Sequence, residues 1–372
     1  MGTTIIRHLE KNSPELDTVS NPDNPDSAFT ASLNGSHVRL DVAVRLAPVS
    51  IAKPWGREIW YTGIEARGES QVLTESGQLG LSQYLELAPH QLCRNLPLTL
   101  LKILEPSPQP VMGDLYFELH EEKQEVYVVT HIDRAAWPEG KGRIRLGMNQ
   151  TARRAHGDDL TFRTAYLNAV KAYEKVRRKI DEQAAPPAPE LAAREATLRQ
   201  AMEAFTELRT VAIGDVVVVP AGLPHALQHG VRVIEFQTPT YERNIISFAQ
   251  KVLTQDHWDS EQAIARMRLE PPAETEIRPV TTGIDQVTGL KGLGMWRVCL
   301  APGATMQLPD HPSYAICMVT AGALKLGPLM LEAEQAAFVP GWLLHERRRQ
   351  ASTTVTNPTD VKATVLIAAA DL

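Results

Sequence analysis

The chain has 372 residues, 43% of them hydrophobic and 22% charged, with a formal net charge of −6 and a pI near 6.0. That length supports two or three domains with cores of their own, and the acidic balance excludes a general nucleic-acid binder. No apolar run approaches the roughly 18 residues of a membrane helix, and the N-terminus lacks a signal-peptide apolar core. A cytoplasmic protein with no membrane partner is the expectation. Cys93, Cys299 and Cys317 lie scattered in apolar surroundings with no CxxC spacing, so they read as reduced and structural.

Residues 1–37 are polar and turn-rich around NPDNPDS and read as an N-terminal arm. From Val38 the pattern turns strand-like: VRLDVAVRLAP alternates, and a further alternating piece spans Leu81 to Leu87. LTLLKIL, Leu98 to Leu104, is apolar enough for a buried strand, and PSPQPVMG turns it into Gly113–Val129, GDLYFELHEEKQEVYVV. An insertion at about 155–209 then interrupts the strands. Within it Tyr166, Ala169, Val170, Tyr173, Val176 and Ile180 form one helical stripe; Leu191, Leu198, Met202, Phe205 and Leu208 predict a second helix. Its KVRRK run (175–179) reads as a solvated helix face. Strands resume at Val211, Ser247 to Leu269 reads as helical, and residues 281–372 are again strand-rich. The expected organisation is therefore an arm (1–37), a first lobe (38–250), a linking helix (251–280) and a second lobe (281–372).

The chemistry concentrates in two stretches. Glu118 and His120 are two apart, so on one strand both side chains take the same face. Glu125 follows after room for a tight turn and faces them from a return strand. Two carboxylates and an imidazole make most of a divalent-metal site. The far partner is Gly214–His225, GDVVVVPAGLPH: four valines form a buried strand, Pro220 and Gly222 turn the chain, and His225 emerges from that turn. Glu118, His120, Glu125 and His225 together suit Zn²⁺, with Mn²⁺, Fe²⁺ or Ni²⁺ compatible. The competing reading, an exposed edge hairpin, leaves the Gly214–His225 turn without a role. In the second lobe Pro340 precedes His345 as Pro220 precedes His225. No ExH or HxH precedes it, so His311 and His345 read as turn or rim histidines.

These two stretches resemble the paired motifs of the cupin superfamily. Gly214, Pro220, Gly222 and His225 match the second motif at every position, and Gly113, Glu118, His120 and Glu125 follow the first, with Glu118 in place of its usual histidine. Lys53-Pro54-Trp55-Gly56, LLKILEP, Lys123-Gln124-Glu125, the helical insertion and VIEFQTPTYER narrow the resemblance to class I mannose-6-phosphate isomerases over roughly residues 50–250. The resemblance implies a mainly β fold: a bicupin of two barrel lobes, the first carrying the helical hairpin and the second degenerate.

It also implies a zinc-dependent aldose–ketose isomerase that interconverts mannose 6-phosphate and fructose 6-phosphate through an enediol. The family's Gln, His, Glu and His ligands fall on Glu118, His120, Glu125 and His225. Its lysine falls on Lys123, its arginine on Arg243, and an acidic position suited to proton transfer on Glu235. Lys53 and Trp55 are packing residues or substrate contacts. The partner implied is a small sugar phosphate, and a homodimer stays open. Where the family has Gln-x-His-Pro this chain reads Glu118-Leu119-His120-Glu121, which adds a negative charge at the metal. That departure keeps two alternatives open: another metallo-cupin of oxygenase type, or a non-catalytic sugar-binding relative.

Overall fold

A computed structural model describes residues 16–19, 29–33, 36–65, 68–309, 313–344 and 350–370. His311, His345 and most of the expected N-terminal arm lie outside the described residues. The fold is mainly β and antiparallel. Contacts divide it into two compact units: Ser50–Ile59 with Lys102–Glu276, and the described parts of Met1–Val49, Trp60–Leu101 and Ile277–Leu372. Residues 60–101, expected in the first lobe, thus group with the C-terminal strands.

The unit built on Lys102–Glu276 wraps two sheets around one core. Six strands form the larger sheet, in the spatial order Val216–Val219, Glu125–Ile132, Val231–Gln237, Leu100–Pro106, Gly56–Trp60, Val49–Lys53. Five form the smaller, in the order Thr206–Val211, Gly142–Met148, His225–Leu227, Phe117–Leu119, Asn244–Ser247. Tyr127, Val129 and Val233 from the first share a buried cluster with Leu119, Leu146 and Leu227 from the second. Strand Glu125–Ile132 is paired on both sides, to the valine strand and to Val231–Gln237. Its residues 125–129 are all buried as well, so both faces of that stretch are covered and its centre is mostly apolar.

Two glycines matter here, one for a close approach and one for its backbone conformation. A Cβ on Gly113 would sit 1.9 Å from the Ser107 carbonyl oxygen. Gly214 takes φ +93°, a conformation disfavoured for side-chain-bearing residues, as its N–H reaches the Val129 carbonyl at 2.8 Å.

Helix Asp159–Asp181 forms as its stripe predicts. The Asp158 side chain caps it by accepting from the Thr161 N–H at 2.8 Å, and Phe162, Tyr166, Val170, Tyr173, Val176 and Ile180 are buried. Each such side chain contributes roughly 1.5–3 kcal/mol on leaving water. The second helix runs Pro189–Glu203 and starts on a proline. It stops before Phe205 and Leu208; Leu208 belongs instead to strand Thr206–Val211, which returns into the sheet with Thr206 paired to Met148. The hairpin thus leaves and rejoins the sheet at neighbouring strand ends.

Two further expectations are corrected. Leu81–Glu86 is a helix, not a strand: a short apolar run has no period that separates the two. Between Ser247 and Leu269 only Ser260–Arg266 is helical. The other unit pairs a nine-stranded with a four-stranded antiparallel sheet around its own cluster, which includes Val298, Cys317, Val319, Leu324, Leu331 and Val365. No helix among the described residues is long and apolar enough to cross a membrane.

Candidate metal centre

The four predicted ligands converge inside the two-sheet unit. Glu118 and His225 are register partners on adjacent strands of the smaller sheet and therefore share a face. His120 follows two residues after Glu118, and its carbonyl accepts the Gly222 N–H at 2.7 Å, which ties the first motif to the turn that presents His225. Glu125 opens a strand of the larger sheet and closes the site from the opposite side.

His120 and His225 stand with ring centroids 5.0 Å apart. Glu118, His120 and His225 offer ligand atoms that all lie within 4.8 Å of one another. His120 Nε2 is 3.6 Å from Glu118 Oε1 and 3.3 Å from Glu125 Oε1, and His225 Nε2 is 3.0 Å from Glu125 Oε2.

Polar satisfaction indicates what these groups are turned toward. Both nitrogens of His120, Nε2 of His225 and Oε2 of Glu118 are buried with no aligned hydrogen-bond partner, a costly arrangement unless something else binds them. Nδ1 of His225 lies 3.0 Å from the Leu223 carbonyl, which can only accept; the ring therefore donates there, and its neutral form presents a lone pair at Nε2. This donor set fits a divalent cation.

The charges around the site act on one another. Burial and the nearby Lys123 ammonium lower the pKa of His120, while Glu125 pulls the other way. Burial also works to lower that of His225, but the adjoining Glu125 carboxylate outweighs it and the pKa rises. For Glu125 burial works upward; Lys123 and the two imidazoles reverse this and hold its carboxyl well below the usual range.

Lys123 Nζ contacts Glu125 Oε1 at 2.6 Å, and the Tyr127 hydroxyl donates to Glu125 Oε2 at 2.6 Å. Burial and the charge of Glu125 push the Tyr127 phenol well above its ordinary value, so it remains a donor. Arg243 stands at the Glu118 side, its Nε 3.9 Å from Oε2. Its guanidinium lies 4.7 Å over the Tyr116 ring and donates to Thr254 Oγ1 at 2.6 Å. Glu235 pairs in register with Tyr127, is buried, and leaves Oε1 without a hydrogen-bond partner.

Sequence reasoning missed Lys102, Gln237 and Glu58. Lys102 Nζ donates to Gln237 Oε1 at 2.7 Å and lies 3.8 Å from Glu235 Oε1. Lys53 pairs with Glu58 at 3.1 Å, while Trp55 is buried in the core cluster. A row of charged and amide side chains thus crosses five adjacent strands of the larger sheet, from Lys53 and Glu58 through Lys102, Gln237 and Glu235 to Glu125. A lone lysine inside the apolar strand LLKILEP was the signal available for it, because a buried ammonium requires partners.

Two antiparallel sheets thus enclose a cluster of ligand-type side chains. The particular fold is that of the mannose 6-phosphate isomerases. The isomerase from Bacillus subtilis superposes with a TM-score of 0.62 at 14% identity, covering 88% of this chain and 99% of that one. A mutant of phosphomannose isomerase from Salmonella typhimurium gives 0.63 at 12% identity, with 89% and 100% covered. A zinc-bound holo mannose 6-phosphate isomerase gives 0.61 at 13%, with 89% and 100% covered. No family profile matches the chain, and no curated protein matches it by sequence.

Proposed function

We propose that the protein is a metal-dependent aldose–ketose isomerase acting on a sugar phosphate of the mannose 6-phosphate/fructose 6-phosphate type. One observation carries this reading: two imidazoles and two carboxylates turn toward one point, flanked by Lys123 and Arg243, within the fold of the mannose 6-phosphate isomerases. Glu118, His120, Glu125 and His225 would hold the cation, Zn²⁺ first and Mn²⁺, Fe²⁺ or Ni²⁺ as compatible alternatives. A divalent ion so held supplies polarisation of the sugar's carbonyl and hydroxyl oxygens and favours the enediolate.

The chain's own residues supply the rest. Glu235 removes the proton from the carbon beside the carbonyl and returns it to the former carbonyl carbon, while the hydroxyl proton passes to the former carbonyl oxygen, so atoms balance and the carboxylate is regenerated. Burial pushes its carboxyl up to about 7, a value suited to both directions of that transfer. Lys102 holds Gln237 and faces Glu235. Arg243 stabilises the negative charge that develops on the substrate, and Lys123 orients the sugar's oxygens. The C-terminal strands read as a second, degenerate lobe with no metal of its own.

The test is an aldose–ketose assay on hexose and pentose phosphates together with metal analysis of the purified protein. Bound metal with no turnover of any sugar phosphate would overturn the isomerase. A second reading has its own observation: Glu118, His120 and His225 alone form a two-histidine, one-carboxylate set, the ligand type of non-haem iron oxygenases. Iron content with oxygen uptake and no isomerisation would promote it.

A further inference from the structure

We propose that Glu242 is a positioning residue for the candidate centre, holding the turn that presents Lys123 and Glu125. The turn between His120 and Glu125 has few bonds of its own. Two consecutive amides in it, those of Glu122 and Lys123, both donate to Glu242 Oε1, each at 2.6 Å. The next amide, Gln124, donates to Thr238 Oγ1 at 3.0 Å, and the Thr238 N–H returns to the Gln124 carbonyl at 3.0 Å. Charge-assisted bonds of that length to one carboxylate oxygen are the strong members of their class.

Segment 238–243 is anchored at its other end. Gln237 donates to the carbonyls of Thr238 and Thr240, at 3.3 Å each, while accepting from Lys102. Arg243, adjacent to Glu242 in sequence, reaches Glu118. Glu242 therefore holds the backbone of Glu122 and Lys123, while Thr238 holds Gln124, the residue immediately before Glu125, whose carboxylate contacts both imidazoles. It touches neither Lys123 Nζ nor Glu125 itself, so it acts through the backbone. Its effect on turnover rests on the isomerase reading, whereas its effect on the turn and on metal affinity does not.

The experiment compares wild type with Glu242→Ala and Glu242→Gln, since glutamine keeps an acceptor oxygen at the same reach. Three quantities are read: amide hydrogen exchange in the peptide spanning the turn, zinc affinity by competition with a chromophoric chelator, and kcat and KM on mannose 6-phosphate. Glu242→Ala should lose protection at the two amides and bind zinc about 10- to 100-fold more weakly, the usual cost of losing an outer support of a metal ligand. It should also lower kcat more than it raises KM.

Glu242→Gln should recover most of each quantity. If Glu242→Ala does not fold, Glu242→Asp, which draws the same charge back by one methylene, is read in its place. Unchanged zinc affinity in Glu242→Ala, or unchanged amide exchange, would overturn the proposal. A wild type without turnover would sink the isomerase reading and leave exchange and zinc affinity to decide on Glu242.

Discussion

Glu118 and His225 face each other in register on neighbouring strands of the smaller sheet, although they come from motifs far apart in the chain. Strand pairing itself sets their spacing, so the centre is preorganised by the same hydrogen bonds that build the sheet. His120→Ala and His225→Ala should each lose stoichiometric metal on dialysis while keeping a cooperative thermal transition. Metal-to-protein ratios measured by elemental analysis check this, and an unchanged ratio in both variants would remove them from the ligand set.

On the isomerase reading, acid should silence turnover near neutrality. Burial, opposed by Lys102 and reinforced by the Glu125 charge, pushes the Glu235 carboxyl up from 4.5 to about 7. A base must be deprotonated, so kcat/KM should rise with pH through about 7 and then level off. The same shift favours the fold below the unfolded value of 4.5, and that contribution is lost as pH rises through about 7. A pH–rate profile without an inflection there, or an active Glu235→Gln variant, excludes Glu235 as the base.

Arg243 lies beside Glu118, its Nε 3.9 Å from Oε2, and supplies no metal-ligand atom of its own. Arg243→Ala should therefore keep the metal and lower kcat by on the order of 100-fold, the usual effect of removing one group that stabilises developing charge. Arg243→Lys should restore little, because a lysine reproduces neither the stacking over Tyr116 nor the planar donor array. Steady-state kinetics on metal-replete protein decides; full activity in Arg243→Ala removes it from the mechanism.

Gly113 is sterically obligatory. Its added Cβ would meet the Ser107 carbonyl oxygen at 1.9 Å and His229 Cβ at 2.8 Å, and backbone must shift to relieve the clash. Gly113→Ala should cost about 1–3 kcal/mol, as overpacking does, read by denaturant unfolding. A variant as stable as wild type would mean that the loop before Glu118 is slack.

The convergence of the candidate ligands was legible because these residues carry fixed spacing. Glu118 and His120 show the period of a strand, and His225 ends a valine run at a Pro/Gly turn. The long helix was legible too, since its stripe runs for several turns. What escaped were residues whose roles exist only between strands. Gln237, Glu58 and Tyr127 each look ordinary in their own segment, and only the order of the larger sheet lines them up with Lys102, whose place in an apolar strand was the one signal. Leu81–Glu86 was misread because six residues are too few to display a period. The second helix was overextended through Phe205 and Leu208, apolar positions that keep helical spacing while one of them sits in a returning strand.

The pairing of Met148 with Thr206 gives the helical insertion a modular character. Its two ends are held side by side by sheet bonds whatever the intervening chain does, so its length carries little closure entropy against the rest of the unit. Lineages could lengthen, trim or exchange that hairpin without disturbing the strands that carry Glu118, Glu125 and His225, provided that the apolar face of Phe162 and Tyr166 remained covered. Diversification of this scaffold would then be read first in the hairpin and last in the paired motifs.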